Sequence, residues 1–361
     1  MNSADSFSAS YDEARAKFLS AMTEATGEHE RIAHPEGGPD GKDLSTDVVW
    51  FGPRDAEGVL VMISGTHGVE GYCGSGAQID WLRRDELASL PKGVAVLMIH
   101  AINPYGFAWN RRVTEDNVDL NRNWIDFAKP LPVNREYAEL ADLICPSEWS
   151  EAAQERTNGE LMRWTMARGG FGPLQQAVSG GQYTHPKGVF YGGSGPTWSR
   201  RTQTKILQSF CARARKVAII DYHTGLGPWG YGEQIVPAPR ETETFKRASR
   251  WFGGACTALS DGSSTSSDIV GDGLSVAPAL LPKAEVTIMA LEVGTKPVNH
   301  VLQALRADAW LHAHGDFASP QGKTIKQQIR DAFYGDAGDW KGMVAGQSLL
   351  ACRQAIAGLQ D

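Results

Sequence analysis

The sequence of 361 residues has only five cysteines, Cys73, Cys145, Cys211, Cys256 and Cys352, and no two stand at CxxC spacing. An odd count without that spacing excludes a disulfide framework and a thiolate metal site. The cysteines read as small apolar packing groups. No uninterrupted apolar run approaches the roughly 20 residues of a membrane span, so a membrane partner is excluded. There is no run of lysine and arginine, and the net charge is −7, which excludes nucleic acid as a partner. The opening stretch MNSADSFSASYDEARAKF lacks the apolar core of a secretory leader. A cytoplasmic location is therefore expected. There is no internal repeat and no linker. The expectation is one domain over residues 1–361, with a helical and Gly-rich insertion at about 130–215.

What is present suits a folded enzyme. The chain is 42% hydrophobic and 21% charged, which is ample for a large core. Its 40 glycines cluster at apparent strand ends and turns rather than in low-complexity runs.

The chain is organised around residues 60–71, LVMISGTHGVEG. An apolar run bounded by glycine reads as a buried strand. Ligand sites of α/β sheets lie at the carboxyl ends of such strands. His67 and Glu70 follow at once, with glycines that let the backbone bend sharply. An imidazole and a carboxylate on one turn are two of the three protein ligands of a catalytic zinc. Alone, the pair also fits a hydrogen-bonded loop histidine beside a solvated glutamate.

The remaining pattern alternates strand and helix. Residues 10–26 read as an amphipathic helix capped by Ser10, 34–44 as a turn-rich loop and 46–51 as a strand. Residues 71–84 read as a helix and 94–99 as a strand. Helices are expected over 134–144 and 149–167, a Gly-rich loop over 169–195, and a further helix up to about 215. Strands follow at 216–221, 235–236 and 287–291, with a helix over 245–259 and a polar loop over 262–268. Residues 297–361 read as largely helical, with Trp310, Phe317, Phe333 and Trp340 as core contacts. Such alternation predicts an α/β fold with a mixed, mostly parallel sheet under helical cover.

Polar groups end several of these strands: His67 and Glu70, Asn103, His223, and Glu292. Asp119, Asn121 and Arg122 follow the 94–99 strand. His67, Glu70 and His223 are the expected ligands of one zinc ion per chain, with a position left open for water. Glu292 is the expected proton acceptor. An arginine suits polarising a carbonyl, and Asn121 with Arg122 forms a fork for a substrate carboxylate. Asp221, two before His223, is placed to orient it. His100 and His185 read as structural.

The segments HGVEG, NPYGFAWNRR, DNVDLNRNW, DYHTG and ALEVGT resemble, in order, the motifs of zinc carboxypeptidases. The closer resemblance is to a bacterial domain-of-unknown-function branch of that clan, carried also by YDEARAKF, TDVVWFGP, SGTHGVEGYCGSGAQ and FYGG. It covers nearly the whole chain. It implies a three-layer α/β/α fold, zinc on His67, Glu70 and His223, and Glu292 as general base. It also implies a substrate carboxylate on Asn121 and Arg122, and a carbonyl-polarising arginine at Arg111 or, preferably, Arg112. The short spacing from that arginine to Asn121 is similar to the aspartoacylase and succinylglutamate desuccinylase branch, which cleaves acylated amino acids. Carboxypeptidases carry a mobile tyrosine shortly before the base, and residues 233–291 contain none. Tyr191 or Tyr231 is the available substitute. The implied activity is hydrolysis of an amide near a free carboxylate, in a peptide or an N-acyl amino acid. A non-catalytic carboxylate-binding protein and a metal-dependent esterase are the remaining alternatives.

Overall fold

The computed structural model describes residues 2–361. Eight strands form one sheet: β1 Glu28–Gly37, β2 Asp43–Phe51, β3 Gly58–Ile63, β4 Val94–His100, β5 Lys216–Thr224, β6 Gly232–Val236, β7 Thr257–Ala258 and β8 Glu285–Val293. Twelve α-helices flank it: α1 Tyr11–Glu24, α2 Gly71–Arg83, α3 Pro104–Ala108, α4 Arg135–Ile144, α5 Glu151–Ala167, α6 Phe171–Ser179, α7 Trp198–Phe210, α8 Glu243–Phe252, α9 Gly273–Leu280, α10 Val298–His314, α11 Pro320–Phe333 and α12 Gly338–Gly358.

The strand order is β1-β2-β4-β3-β5-β8-β6-β7. The centre is parallel, through β4-β3, β3-β5 and β5-β8, and β1, β2 and β6 run antiparallel to their inner neighbours. The sheet is thus mixed and mostly parallel, as the alternation of elements predicts. The parallel centre explains why β3, β4 and β5 read as near-continuous apolar runs. Both faces are covered by helices, so no alternation with solvent-facing residues is required. All of β3 and β4 is buried.

The chain leaves β3 for β4 on one side and later returns to β5 on the other. A sheet opens at such a reversal, at the carboxyl ends of its strands, into a crevice. The turn after β3 lies there. Gly65 has φ +71°, a left-handed conformation cheap only for glycine. Gly68 packs so closely on α3 that a Cβ would stand 2.0 Å from the Gly106 carbonyl carbon.

Local signals account for most helix starts. Ser10 accepts a hydrogen bond from the Glu13 amide at 3.2 Å and caps α1, as expected. The structure departs from the sequence reading at four places. The 34–44 loop overlaps β1, an edge strand whose residues are mostly exposed. With both faces polar, it carries no period-2 signal. The 169–195 loop contains α6, whose glycine-flanked start has no side-chain cap. The 245–259 helix stops at Phe252, where Gly253 takes φ +100°, and Thr257–Ala258 joins the sheet. Phe317 is 38% exposed rather than core, while Phe333 and Trp340 are buried and Trp310 is partly so, stacked on Trp149. No helix among the described residues is long and apolar enough to cross a membrane.

Candidate metal centre and substrate cavity

Three strand ends build the centre. His67 and Glu70 sit on the turn after β3, and His223 lies near the end of β5. In the β5-β8 ladder His223 stands directly opposite Glu292. Parallel pairing therefore brings a ligand from one strand and a carboxylate from the next to the same level.

His67, Glu70 and His223 are all buried, and one donor atom from each lies within 4.8 Å of the others. His67 Nδ1 is 3.0 Å from Glu70 Oε1, and His223 Nδ1 is 3.1 Å from Glu70 Oε2. The two Nδ1 atoms face each other at 3.2 Å. The opposite ring nitrogens are held by carboxylates: His67 Nε2 by Asp119 at 3.3 Å and His223 Nε2 by Asp221 at 2.9 Å. With the proton on Nε2 of each ring, both Nδ1 atoms face inward as acceptors, the arrangement of metal-ligating histidines. Thr66 Oγ1 donates to both Asp221 oxygens, at 2.8 and 3.0 Å, and so orients the carboxylate. Two imidazoles and one carboxylate, each with its outer partner, fit zinc.

The electrostatics point the same way. Burial alone would raise the Glu70 carboxyl, but His67 and Arg112 outweigh it and hold the group well below its usual range. Asp119 is likewise held low against burial by Arg112, Arg122 and His67. Burial works against protonation of His223, yet Asp221 and Glu70 raise its affinity for a proton. An environment that negative favours any cation at this point. Glu292 behaves differently. Burial, then repulsion from Glu70, pushes it up to about 8. Its Oε1 accepts the Leu226 amide at 3.0 Å.

The cluster forms the polar floor of an open cavity. His67, Arg112, Asn121, Arg122, His223 and Glu292 all line it. Arg112 donates to Glu70 Oε1 at 2.5 Å and to Asp119 at 3.2 Å. Its guanidinium is the counter-charge of the cluster. Arg111, next in the chain, points elsewhere. It meets Asp308 of α10 at 3.3 Å and Asn117 at 2.6 Å, and does not line this cavity.

Arg122 is buried and donates from Nη1 to the Asn121 carbonyl at 3.0 Å and from Nε to the Ser179 carbonyl at 3.1 Å. Asn121 accepts the Gly273 amide at 3.3 Å. Tyr191 is the second expected contact that falls outside. It is buried, and its carbonyl accepts the Asp119 amide at 2.8 Å, whereas Phe190 lines the cavity instead. Tyr231 is 50% exposed and does not line the cavity either. Phe190 lies in a turn with φ +54°, and this left-handed backbone sets the directions of the two neighbouring side chains. His100 is buried against Phe18 and Ser75, away from the cavity, and His185 lies beside Thr184. The outer partner of His67, Asp119, had a legible signal in its DLNR context. The apolar wall described below had none.

These features define an α/β protein with a candidate metal centre in a cavity at the carboxyl edge of a mixed sheet. The family model described as "Protein of unknown function (DUF2817)" matches residues 7–347, and the chain belongs to that family. No curated protein matches it. Similar solved structures include bovine thrombin-activatable fibrinolysis inhibitor in complex with tick carboxypeptidase inhibitor, at 11% identity, 98% of this chain, 97% of that chain and TM-score 0.49. Carboxypeptidase A from Helicoverpa armigera matches at 13% identity, over 98% of this chain and 75% of that chain, with TM-score 0.48. A metallo-carboxypeptidase from Burkholderia cenocepacia matches at 11% identity, over 97% and 69%, also with TM-score 0.48.

Proposed function

We propose that this protein is a zinc-dependent hydrolase that cleaves an amide bond near a free carboxylate. The observation that carries the reading is convergence. Two histidines and a glutamate with metal-ligand geometry share one cavity with a carboxylate and two arginines. His67 Nδ1, Glu70 and His223 Nδ1 would hold one zinc per chain. Zinc, when bound, would supply Lewis acidity toward a carbonyl and toward water.

The chain's own groups complete the reaction. Glu292 takes a proton as water oxygen bonds to the carbonyl carbon, and passes it to nitrogen as the carbon–nitrogen bond breaks. Arg112 donates to the carbonyl oxygen as charge develops there. Its Nη1 donor now rests on Glu70, so a cation on that ligand would release it. Asn121 and Arg122 hold the carboxylate. Tyr191 and Tyr231 both lie off the cavity wall, which favours an N-acyl amino acid amidohydrolase over a carboxypeptidase that relies on a tyrosine.

Protein purified without added metal should carry about one zinc per chain by elemental analysis, and His223→Ala should lose it. Screening N-acyl amino acids and C-terminally free dipeptides by mass spectrometry should reveal a substrate. Glu292→Gln should keep the zinc and lose activity by about 10²–10⁴-fold. Full zinc in His223→Ala, or wild-type turnover by Glu292→Gln, overturns the assignment.

A further inference from the structure

The wall beside Arg122 is built from segments that the sequence reading left as loops. The Ser179 carbonyl that receives Arg122 ends α6, and the Gly273 amide bound by Asn121 begins α9. The carboxylate fork is therefore embedded in α6 and in the 262–273 segment. The apolar side chains these elements send into the cavity are Leu174 and Val178 from α6, Ile269 from the loop, and Leu274 from α9. The sheet adds Ile235 and Ala290, which are direct cross-strand partners on β6 and β8. Ala290 lies two residues before Glu292, on the same face of β8.

The polar groups of this wall are engaged with one another. Ser179 Oγ meets Ser267 Oγ at 2.8 Å, and Gln175 Nε2 donates to the Thr265 carbonyl at 3.0 Å. Asp272 lines the cavity too, but it caps α9. Its oxygens accept the Ser275 amide at 2.7 Å and the Ser275 hydroxyl at 2.5 Å. No lysine lines the cavity, Arg112 faces Glu70 and Asp119, and Arg122 is taken by the bound carboxylate itself. A charged substituent beside the bound carboxylate would meet no free counter-charge, and burying it unpaired is costly.

We propose that the residue carrying the free carboxylate has a large apolar side chain, aliphatic or aromatic, seated on Leu174, Val178, Ile235, Ile269, Leu274 and Ala290. This rests on the reading of Asn121 and Arg122 as the carboxylate fork. Ala290 sets the depth of the subsite, because its methyl is the smallest group on that wall.

Two measurements test the assignment. The first is kcat/KM of the zinc-loaded protein on N-acetyl-X and benzyloxycarbonyl-glycyl-X, with X as Phe, Leu, Asp or Lys. The Phe and Leu members should exceed the Asp and Lys members at least tenfold. Ala290→Phe should lower kcat/KM on the Phe members more than on the Leu members, and Ile269→Lys should narrow the gap to Asp. The second is calorimetric binding of 3-phenylpropionate, succinate and 6-aminohexanoate. The aromatic acid should bind at least tenfold more tightly. Preferred turnover of Asp or Lys members overturns the subsite, and so does equal binding of the three acids. Tight binding of 3-phenylpropionate with no hydrolysis of any amide supports the subsite and sinks the hydrolase reading instead.

Discussion

Arg122 has five N–H donors, and three of them are given to the carbonyls of Ser179 and Asn121. The other two are left for a planar acceptor, which is what a bidentate carboxylate needs. Hydrogen bonds to charged groups contribute roughly 1.5–3 kcal/mol, so a free acid should be preferred over its amide by about tenfold or more in kcat/KM. Arg122→Lys should reduce that ratio, because an ammonium has no fork. Arg122 also stands 3.7 Å from Asp119, as a loop brace would. If bracing is its whole role, the variant loses stability and leaves the acid-to-amide ratio unchanged. The ratio, rather than the rate, is the measurement that decides.

At the scale of elements, the turn after β3 is seated on two others. The Gly68 amide donates to the Arg112 carbonyl at 3.0 Å and the Val69 amide to the Arg111 carbonyl at 2.7 Å. Gly68 also abuts α3 with no space for a Cβ. Gly68→Ala should therefore force the turn and α3 apart, at a cost of roughly 1–3 kcal/mol typical of overpacking. Urea denaturation measures this, and an unchanged midpoint would show that the turn has slack. This turn was legible in the sequence because its glycines, histidine and glutamate are contiguous. The strand β1 and the helix α6 were not. An edge strand with two polar faces and a glycine-flanked helix without a cap carry almost no local signature.

At the scale of the molecule, buried histidines tie stability to pH. His100 ends β4, bonds Ser75 of α2 at 2.9 Å and stacks on Phe18 of α1, with 4.3 Å between ring centroids. Burial pushes its pKa down to about 4. The unfolded chain has the ordinary value near 6.5 and binds the proton more readily between these two values. The stabilisation is thus present above about pH 6.5 and is lost as pH falls toward 4. Between pH 7 and pH 5 the loss from this residue is about 2 kcal/mol. Urea denaturation of wild type and His100→Gln at both pH values isolates it, since the variant should lose less over the same interval. Equal losses would show that His100 does not titrate this way.

The sequence by itself determined the chemistry of the candidate centre. His67 and Glu70 share one glycine turn, and each ligand is named by its residue type at a strand end, while parallel pairing of β3 with β5 brings His223 to them from 156 residues away. Strand pairing at fixed register then carried His223 to the level of Glu292. Only the tertiary structure decided which neighbours of those residues face inward. Arg112 enters the cavity and Arg111 does not, because Asp308 on α10 holds Arg111 from 197 residues away. Phe190 lines the cavity and Tyr191 does not. The apolar wall beside Arg122 comes from four separate segments, none of which is distinctive alone. A ligand set is a matter of residue type at a strand end, which the sequence states directly. A cavity wall depends on the directions of side chains from distant elements, and packing fixes those directions only when the whole chain is folded.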